Sequence, residues 1–162
     1  MIEKNNTIDS ESANNIEIVT WEDKYAVGVE LIDSQHNELV NLTNKLNRAC
    51  LSGNKEAEAV FPDTMNLMID YIRFHFSAEE KLMTRINYPD LENHRNQHET
   101  LDRNIHEAIK DYQKGNKFVP YQFVLTLRDW VFGHIAISDK QYAIFIEEQK
   151  KKGLISEQQL NG

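Results

Sequence analysis

Apolar residues recur every three or four positions in four separate stretches of the chain, which is the spacing of one face of an α-helix. The stretches cover approximately residues 33–51, 56–86, 91–114 and 120–152. Short turn sequences separate them, namely SGN at 52–54, NYPD at 87–90 and the segment that begins with Gly115. No stretch alternates apolar and polar residues as a strand does. The pattern predicts an all-α protein, an antiparallel up-down-up-down four-helix bundle.

Two residues indicate where the first and the second predicted helices begin. Asp33 precedes the first apolar stripe, and its short acidic side chain is typical of a helix N-cap. Pro62 lies inside the second stretch and has no backbone N–H. The second helix is therefore expected either to begin near Pro62 or to kink there.

The segments outside the helices differ in composition. The first fifteen residues are rich in Asn, Ser, Glu and Asp, which predicts a disordered arm. The following segment contains Trp21 and Tyr25, and we expect it to pack against the bundle as an extended N-terminal flap. The predicted organisation is an arm, a bundle domain with its flap, and a C-terminal tail, at residues 1–15, 16–152 and 153–162.

Composition narrows the range of partners and compartments. The chain has 162 residues and a net charge of −8, which argues against nucleic acid or an anionic membrane as a partner. Its one cysteine, Cys50, fits a small core residue and excludes a cysteine-based metal site. The sequence shows neither a secretory leader nor an apolar run long enough to cross a bilayer. We expect a cytoplasmic protein that is a monomer.

Several histidines and carboxylates share the apolar faces of the predicted helices. On the first helix, His36 lies on the stripe of Leu39 and Leu46. The other helices repeat this arrangement, and the complete set is His36, His75, Glu79, His94, His98, His134 and Asp139. His106 is different, because it lies about 80° around its helix from His98. We expect His106 on the surface.

The fourth helix contains an irregular step in this pattern. His134 and Asp139 are five residues apart, which corresponds to about 140° on a regular α-helix. One extra residue in a turn, a π-bulge, would return both side chains to one face, and such bulges often occur at functional sites. We therefore predict a π-bulge between these two residues.

A metal site explains these inward polar groups better than a set of separate hydrogen bonds. One histidine on an apolar face is usually a hydrogen-bonded core residue. Five histidines and two carboxylates in one small bundle would leave many buried polar groups without partners, and a metal satisfies them together. Seven ligands exceed the needs of one zinc ion, so two ions are indicated. Imidazole and carboxylate suit iron, zinc or manganese.

The ordered motifs resemble those of a known family. They are DSQH ending at His36, HFSAEE from His75, HRNQH from His94, and HIAISD from His134 to Asp139. In this order and spacing they are similar to the hemerythrins, and most closely to the bacterial single-domain form. The resemblance covers approximately residues 18–148. It implies a four-helix bundle with a non-haem centre of two iron ions bridged by an oxo or hydroxo group.

The resemblance also implies a role for each side chain. One iron ion would be held by His94, His98 and His134, and the other by His36 and His75. Glu79 and Asp139 would bridge the two ions. Dioxygen would bind at the open position of the two-histidine iron, in an apolar pocket whose expected walls are Phe76, Trp130, Val131, Ile135 and Tyr142. At Val131 the family usually has a leucine, so a wider pocket and faster autoxidation are expected here.

The resemblance and the cluster leave four functions open, the last of which is a metal store without redox activity. The first is reversible dioxygen binding for storage, delivery or buffering, without catalysis. The second is an oxygen or redox sensor that signals to a protein partner. The third is a di-iron enzyme, such as a peroxidase or a protein that handles nitric oxide. The related iron-donating repair proteins carry His-x-x-x-Glu in the last helix, and this chain has His-x-x-x-x-Asp instead.

Overall fold

The computed structural model describes residues 16–161 of the chain. Within these residues it is all-helical and contains no strand, which confirms the predicted fold class. The first three bundle helices are α1 at Glu30–Ser52, α2 at Asn54–Arg85 and α3 at Leu91–Gln113. The fourth bundle helix consists of α4 at Val119–Trp130, a π-helix at Val131–Asp139 and α5 at Lys140–Lys151. A 3-10 turn, Asp23–Tyr25, precedes the bundle, and a short helix α6, Glu157–Asn161, follows it.

The first helix begins three residues earlier than predicted, at Glu30. Asp33 is therefore not the N-cap but lies in the first turn. Its carboxylate reaches back and accepts hydrogen bonds from the backbone N–H groups of Val27 and Gly28, at 2.7 and 3.0 Å. The acidic residue was a correct sign of a helix start. However, its carboxylate oxygens accept hydrogen bonds from the chain before the helix and not from the first turn of the helix.

The second helix passes through Pro62, so the first alternative, a start near this residue, is wrong, and a kink at Pro62 stays a prediction. Because Pro62 has no N–H, the carbonyl of Glu58 four residues earlier loses its usual helical donor. The hydroxyl of Tyr112 on α3 donates a hydrogen bond to that carbonyl at 3.2 Å. A side chain of the neighbouring helix thus replaces the missing backbone donor, and the helix continues.

The predicted π-bulge is present, as a π-helix that extends over nine residues. On a regular α-helix, the step from His134 to Asp139 would turn their side chains about 140° apart. The wider turns bring both side chains into the buried interior. The apolar face is also preserved on both sides, since Leu127 before the π-helix and Ile146 after it are buried.

The N-terminal flap is held by the side-chain amide of Asn44 on α1. Its oxygen accepts hydrogen bonds from the backbone N–H groups of Ile18 and Val19, and its nitrogen donates to the carbonyl of Val19. Lys140 contributes a further bond to the carbonyl of Ala26 at 2.9 Å. The flap is therefore attached to both the first and the fourth bundle helices. The predicted arm at residues 1–15 lies outside the described residues.

The segment after the bundle is packed against α2. Ile155 and Leu160 are buried beside Leu82 and Met83. The guanidinium of Arg85 donates hydrogen bonds to the carbonyls of Gln159 and Leu160. The periodicity of the sequence did not predict helix α6, because one turn with two apolar anchors is too short to show a helical period.

The apolar core has two layers with a polar layer between them. One layer includes Leu39, Leu46 and Leu127, and the other includes Ile32 and Tyr142. Cys50 belongs to the first layer, and burial raises the pKa of its thiol to about 11, which fits an unreactive core residue. None of the helices in residues 16–161 is both long and apolar enough to cross a membrane.

Candidate metal centre

The polar layer consists of the seven side chains that the sequence placed on inward faces. All are at most 2% exposed, and every bundle helix supplies at least one of them. They are His36 from α1, His75 and Glu79 from α2, His94 and His98 from α3, and His134 and Asp139 from the π-helix. His106 is excluded, since its side chain is 53% exposed. The structure therefore brings together all seven predicted residues.

Glu79 lies at the middle of this cluster. Its Oε2 atom is 3.4 Å from Nε2 of His75, 3.4 Å from Nε2 of His94 and 3.2 Å from Nε2 of His98. Its Oε1 atom is 3.8 Å from Nε2 of His36. One carboxylate thus faces histidines from three helices.

Asp139 spans the cluster in a similar way. Its Oδ2 atom is 3.1 Å from Nε2 of His36, and its Oδ1 atom is 3.1 Å from Nε2 of His134 and 3.4 Å from Nε2 of His94. The two oxygens of the carboxylate therefore face different histidines. This is the arrangement that a carboxylate bridging two ions requires.

Two overlapping sets of side chains have the spacing of metal ligands. Glu79, His94, His98 and His134 form one set, and His36, His75 and Glu79 form the other. Within each set one ligand atom from every residue lies within 4.8 Å of the others. Glu79 belongs to both, so the two candidate positions are adjacent.

Several ligand-type atoms in this layer have no hydrogen-bond partner among residues 16–161. They include both ring nitrogens of His36, Nε2 of His75 and both carboxylate oxygens of Asp139. Such buried polar atoms are costly unless something satisfies them. Nε2 of His36 approaches Asp139, and Nε2 of His75 approaches Glu79, within ion-pair distance but without hydrogen-bond geometry, as ligands of a common ion do. The donor set therefore fits metal ions.

The electrostatics of the metal-free cluster keep His75 neutral and both carboxylates ionised. Burial acts to lower the pKa of His36 and of His98, but the carboxylates that face them outweigh it and raise both. Burial disfavours the charged form of His75 and lowers its pKa to about 4, so that its imidazole is neutral at pH 7. Burial acts to raise the pKa of Glu79, but His75, His94 and His98 outweigh it, and the pKa lies well below its ordinary value. The pKa of Asp139 is also lowered, because His134 and His36 outweigh burial and the charge of Glu79. Both carboxylates are therefore ionised.

Three polar side chains orient the histidines from outside the cluster. The Oε1 atoms of Gln35, Glu80 and Gln97 lie 3.0, 3.0 and 2.8 Å from the Nδ1 atoms of His75, His98 and His134, respectively. Amide and carboxylate oxygens only accept hydrogen bonds, so each Nδ1 atom carries the proton. In a neutral imidazole Nε2 is then unprotonated and faces the cluster, which is the tautomer that a metal requires.

Sequence reasoning did not identify these three orienting residues, although a local signal exists. Each is the chain neighbour of a proposed ligand: Gln35 precedes His36, Glu80 follows Glu79, and Gln97 precedes His98. One step along a helix is about 100° of rotation, which places the neighbour at the border of the inward face. From there the side chain reaches a histidine of the next helix and not the ligand beside it in the sequence.

The residues predicted to line the oxygen pocket contact or adjoin the cluster in different ways. Phe76 stacks on His98 with ring centroids 3.8 Å apart, and Trp130 stacks on His134 at 4.0 Å. Val131 and Ile135 are fully buried in the apolar layer next to the cluster. Tyr142 has a polar role as well, since its hydroxyl donates a hydrogen bond to Oε1 of Glu79 at 2.5 Å. Burial raises the pKa of Tyr142 well above its ordinary value, so this donor keeps its proton.

Fold and site together define the class of protein: a four-helix bundle whose interior holds a histidine and carboxylate cluster able to bind metal. A family model described as the hemerythrin HHE cation binding domain matches residues 27–143. The chain therefore belongs to the hemerythrin family, as its motifs indicated. Membership in this family implies binding of non-haem iron.

Individual relatives agree with this assignment. A bacteriohemerythrin of Stenotrophomonas maltophilia is 29% identical over 126 residues, which cover 78% of this chain and 80% of the relative. A bacteriohemerythrin of Pseudomonas aeruginosa is 31% identical over 124 residues, covering 76% and 78%. A hemerythrin-like protein of Naegleria gruberi is 30% identical over 124 residues, covering 75% and 88%.

Proposed function

We propose that this protein binds two non-haem iron ions and uses them to bind dioxygen reversibly, for storage, delivery or buffering. In this proposal His94, His98 and His134 hold one ion, and His36 and His75 hold the other. Glu79 and Asp139 bridge the two. The observation that carries the proposal is the group of buried atoms of His36, His75 and Asp139 that have no hydrogen-bond partner in the described part of the chain.

The unequal number of histidines supports a distinct role for each ion. The two-histidine side has fewer protein ligands and leaves room for an exogenous molecule. When bound, ferrous iron would supply the electrons that dioxygen takes up on binding and returns on release. The side chains of this chain supply the positions of the ligands and the surroundings of the open side.

The apolar surroundings support reversible binding and not turnover. Phe76, Val131 and Ile135 are buried next to the cluster, and a dry site limits proton-driven loss of bound oxygen. Glu80 and Tyr142, which contact the proposed ligands, each already hold one of them by a hydrogen bond. An enzyme would need a free general acid or base at this position. We therefore propose a non-catalytic role.

A spectroscopic titration tests this function. The iron-loaded protein is reduced without oxygen, exposed to oxygen and then purged with inert gas, and iron content is determined on the same sample. We expect two iron ions per chain and a visible absorption band that appears with oxygen and disappears on purging. The variant His75→Ala should lose this band, whereas His106→Ala, which changes a surface histidine, should keep it.

The same experiment distinguishes the other functions. Direct conversion to a stable oxidised spectrum with no oxygen-dependent band would contradict reversible binding and favour a redox sensor or an enzyme. Fewer than two iron ions per chain in a folded, fully loaded sample would contradict the two-ion assignment.

A further inference from the structure

A surface groove along α2, bordered by Arg95 of α3, lies beside the proposed metal centre. It has a volume of about 650 Å³, and its lining includes Phe76, Glu80 and the cations Arg73, Lys81, Arg85 and Arg95. We call it the basic groove. Four of its nine lining residues are cationic and one is anionic, although acidic residues outnumber basic ones by 26 to 18 in the whole chain. Positive charge is thus concentrated at this groove.

The cations of the groove differ in whether they already have a partner within the protein. Arg95 pairs with Glu80 and Glu92, and Arg85 donates to carbonyls of the C-terminal segment. Arg73 and Lys81 are exposed and have no ion-pair partner within residues 16–161. They lie eight positions apart on α2, or two turns along one face. These two residues are available to bind an external anion.

The groove continues across the ridge that carries Arg73, Ser77, Lys81 and Arg85. The same four side chains border a second groove of about 1090 Å³ on the other side, next to Leu31 and Phe74. Phe74 is 73% exposed and Leu31 is 59% exposed. An apolar surface beside a charged ridge resembles a protein–protein contact more than a site for a small ion.

The floor of the basic groove touches a proposed iron ligand in two ways. The ring of Phe76 is parallel to the imidazole of His98 within 3° and lies 3.8 Å from it. The carboxylate of Glu80 accepts a hydrogen bond from Nδ1 of His98 at 3.0 Å. A partner seated in the groove would therefore be separated from a proposed iron ligand by a single side chain.

We propose that the basic groove is the docking surface for an acidic electron-transfer protein that returns the oxidised metal centre to its ferrous form. The inference rests on the proposed function, because an oxygen-binding iron centre that autoxidises must be reduced again. Two one-electron oxidations of the partner balance the reduction of two ferric ions to ferrous ions. Electrons enter through the contact of Phe76 and Glu80 with His98.

Local charge decides the docking site even though the chain as a whole is acidic. The screening length is about 8 Å at physiological ionic strength, so a docked partner responds to nearby charges and not to the net charge. Outside the groove acidic residues outnumber basic ones by 25 to 14 (26 − 1 and 18 − 4), so nearby charges repel an acidic partner there and favour the basic groove. Electron-transfer contacts are typically small and weak, which fits a groove of this size.

The test uses a reduced plant-type [2Fe–2S] ferredoxin as the acidic donor and the double variant Arg73→Glu, Lys81→Glu. The matched control is Lys45→Glu, Lys55→Glu, which changes two exposed lysines without ion pairs in the described residues. The rate of reduction of the oxidised iron protein is followed by stopped flow at several salt concentrations. Binding of oxidised ferredoxin to the zinc-loaded protein is measured separately by NMR titration.

We expect the groove variant to lower both the second-order rate constant and the affinity at least tenfold, and the control to lower each less than threefold. The wild-type rate should fall with added salt. Reduction by photoreduced 5-deazariboflavin, a small uncharged donor, should be equal in all three proteins. Equal effects of the groove variant and the control, on either rate or affinity, would overturn the proposal.

The two proposals fail in different ways. If the deazariboflavin-reduced protein shows no oxygen-dependent band, the oxygen-binding function fails, and the zinc-form titration still decides whether the groove binds the acidic protein. If oxygen binding is normal and the groove variant binds ferredoxin like the wild type, only the docking proposal fails.

Discussion

Nδ1 of His134 on the fourth bundle helix donates a hydrogen bond of 2.8 Å to Oε1 of Gln97 on α3. The same relationship joins His98 on α3 to Glu80 on α2, and His75 on α2 to Gln35 on α1. Each orienting side chain therefore acts on the histidine of the following helix. The orientation of the proposed ligands depends on how neighbouring helices are aligned, and not on any one helix alone.

Removing the acceptor of His134 should weaken metal binding. In Gln97→Leu the imidazole loses its Nδ1 partner, and Ser138, whose hydroxyl donates to the same oxygen at 2.7 Å, loses its acceptor as well. We expect metal affinity to fall about 10- to 100-fold, the usual effect of losing such a partner. Competition with a chelator measures the change. Gln97→Glu keeps an acceptor oxygen and should retain most of the affinity; equal loss in both variants would contradict the orienting role.

The hydrogen bond from Tyr142 to Glu79 should contribute to stability as well as to the site. Tyr142→Phe keeps the buried ring and removes only the hydroxyl, leaving an ionised carboxylate with one donor fewer. We expect the free energy of unfolding of the metal-free protein to fall by about 1.5–3 kcal/mol, the range for a hydrogen bond to a charged group. Urea unfolding measures it. Tyr121→Phe, which removes a hydroxyl bonded to Asn54 at the surface, should cost less than 1 kcal/mol by the same principle.

Asn44 should be the main attachment of the N-terminal flap. Asn44→Leu leaves two backbone N–H groups and one carbonyl of the flap without partners. We expect a loss of about 2–4 kcal/mol in the free energy of unfolding, together with faster proteolysis at residues 16–22. Limited proteolysis followed by mass spectrometry locates the cuts. The exposed Asn41 on the same helix provides the control Asn41→Leu, and an unchanged cleavage pattern in Asn44→Leu would argue against the attachment.

The size of residue 131 should influence the lifetime of bound oxygen. Val131 is fully buried in the apolar layer next to the cluster, and Val131→Leu adds one methylene group there. We expect slower autoxidation, because the larger side chain leaves less room for water, at a packing cost of about 1–3 kcal/mol. Decay of the oxygen-dependent absorption band gives the rate. Val124→Leu makes the same change at a buried position two turns earlier in the helix; the prediction is refuted if both variants autoxidise at the wild-type rate.

The contribution of His75 to the stability of the metal-free protein should be lost as the pH falls from about 6.5 to about 4. The pKa of His75 is lowered to about 4 in the folded protein, whereas an unfolded histidine titrates near 6.5, about its ordinary value. Between these values the unfolded chain binds a proton that the folded chain does not, which favours unfolding. Urea unfolding at a series of pH values should show a shallower decline for His75→Gln than for the wild type. His106→Gln, a change at the surface, should leave the decline as it is.

The sequence predicted those parts of the molecule that depend on periodicity. The four bundle helices, the inward faces of all seven cluster residues and the irregular turn near His134 follow from which positions are apolar. The exposed position of His106 follows in the same way. These features repeat over many residues, so single exceptions do not hide them.

The features that were not predicted depend on single contacts between one side chain and the backbone of another segment. The hydroxyl of Tyr112 allows α2 to continue through Pro62, although the two residues are fifty positions apart. Asp33 has the chemistry of an N-cap but bonds to the chain before the helix. Contacts of this kind depend on how the helices pack, and local sequence carries no record of that packing.

The π-helix affects where the length of this chain can change without turning the site away from the core. In a regular α-helix one added residue rotates everything behind it by about 100°, which would turn the rest of the helix away from the core. Here the wider turns of the π-helix accommodate the additional residue. Both halves of the fourth bundle helix therefore keep their apolar faces toward the core. Deleting the exposed Ile137 would leave His134 and Asp139 four positions apart, which on a regular α-helix is again one face. This turn is therefore a place in the bundle where the deletion of one residue is compatible with the same inward-facing site.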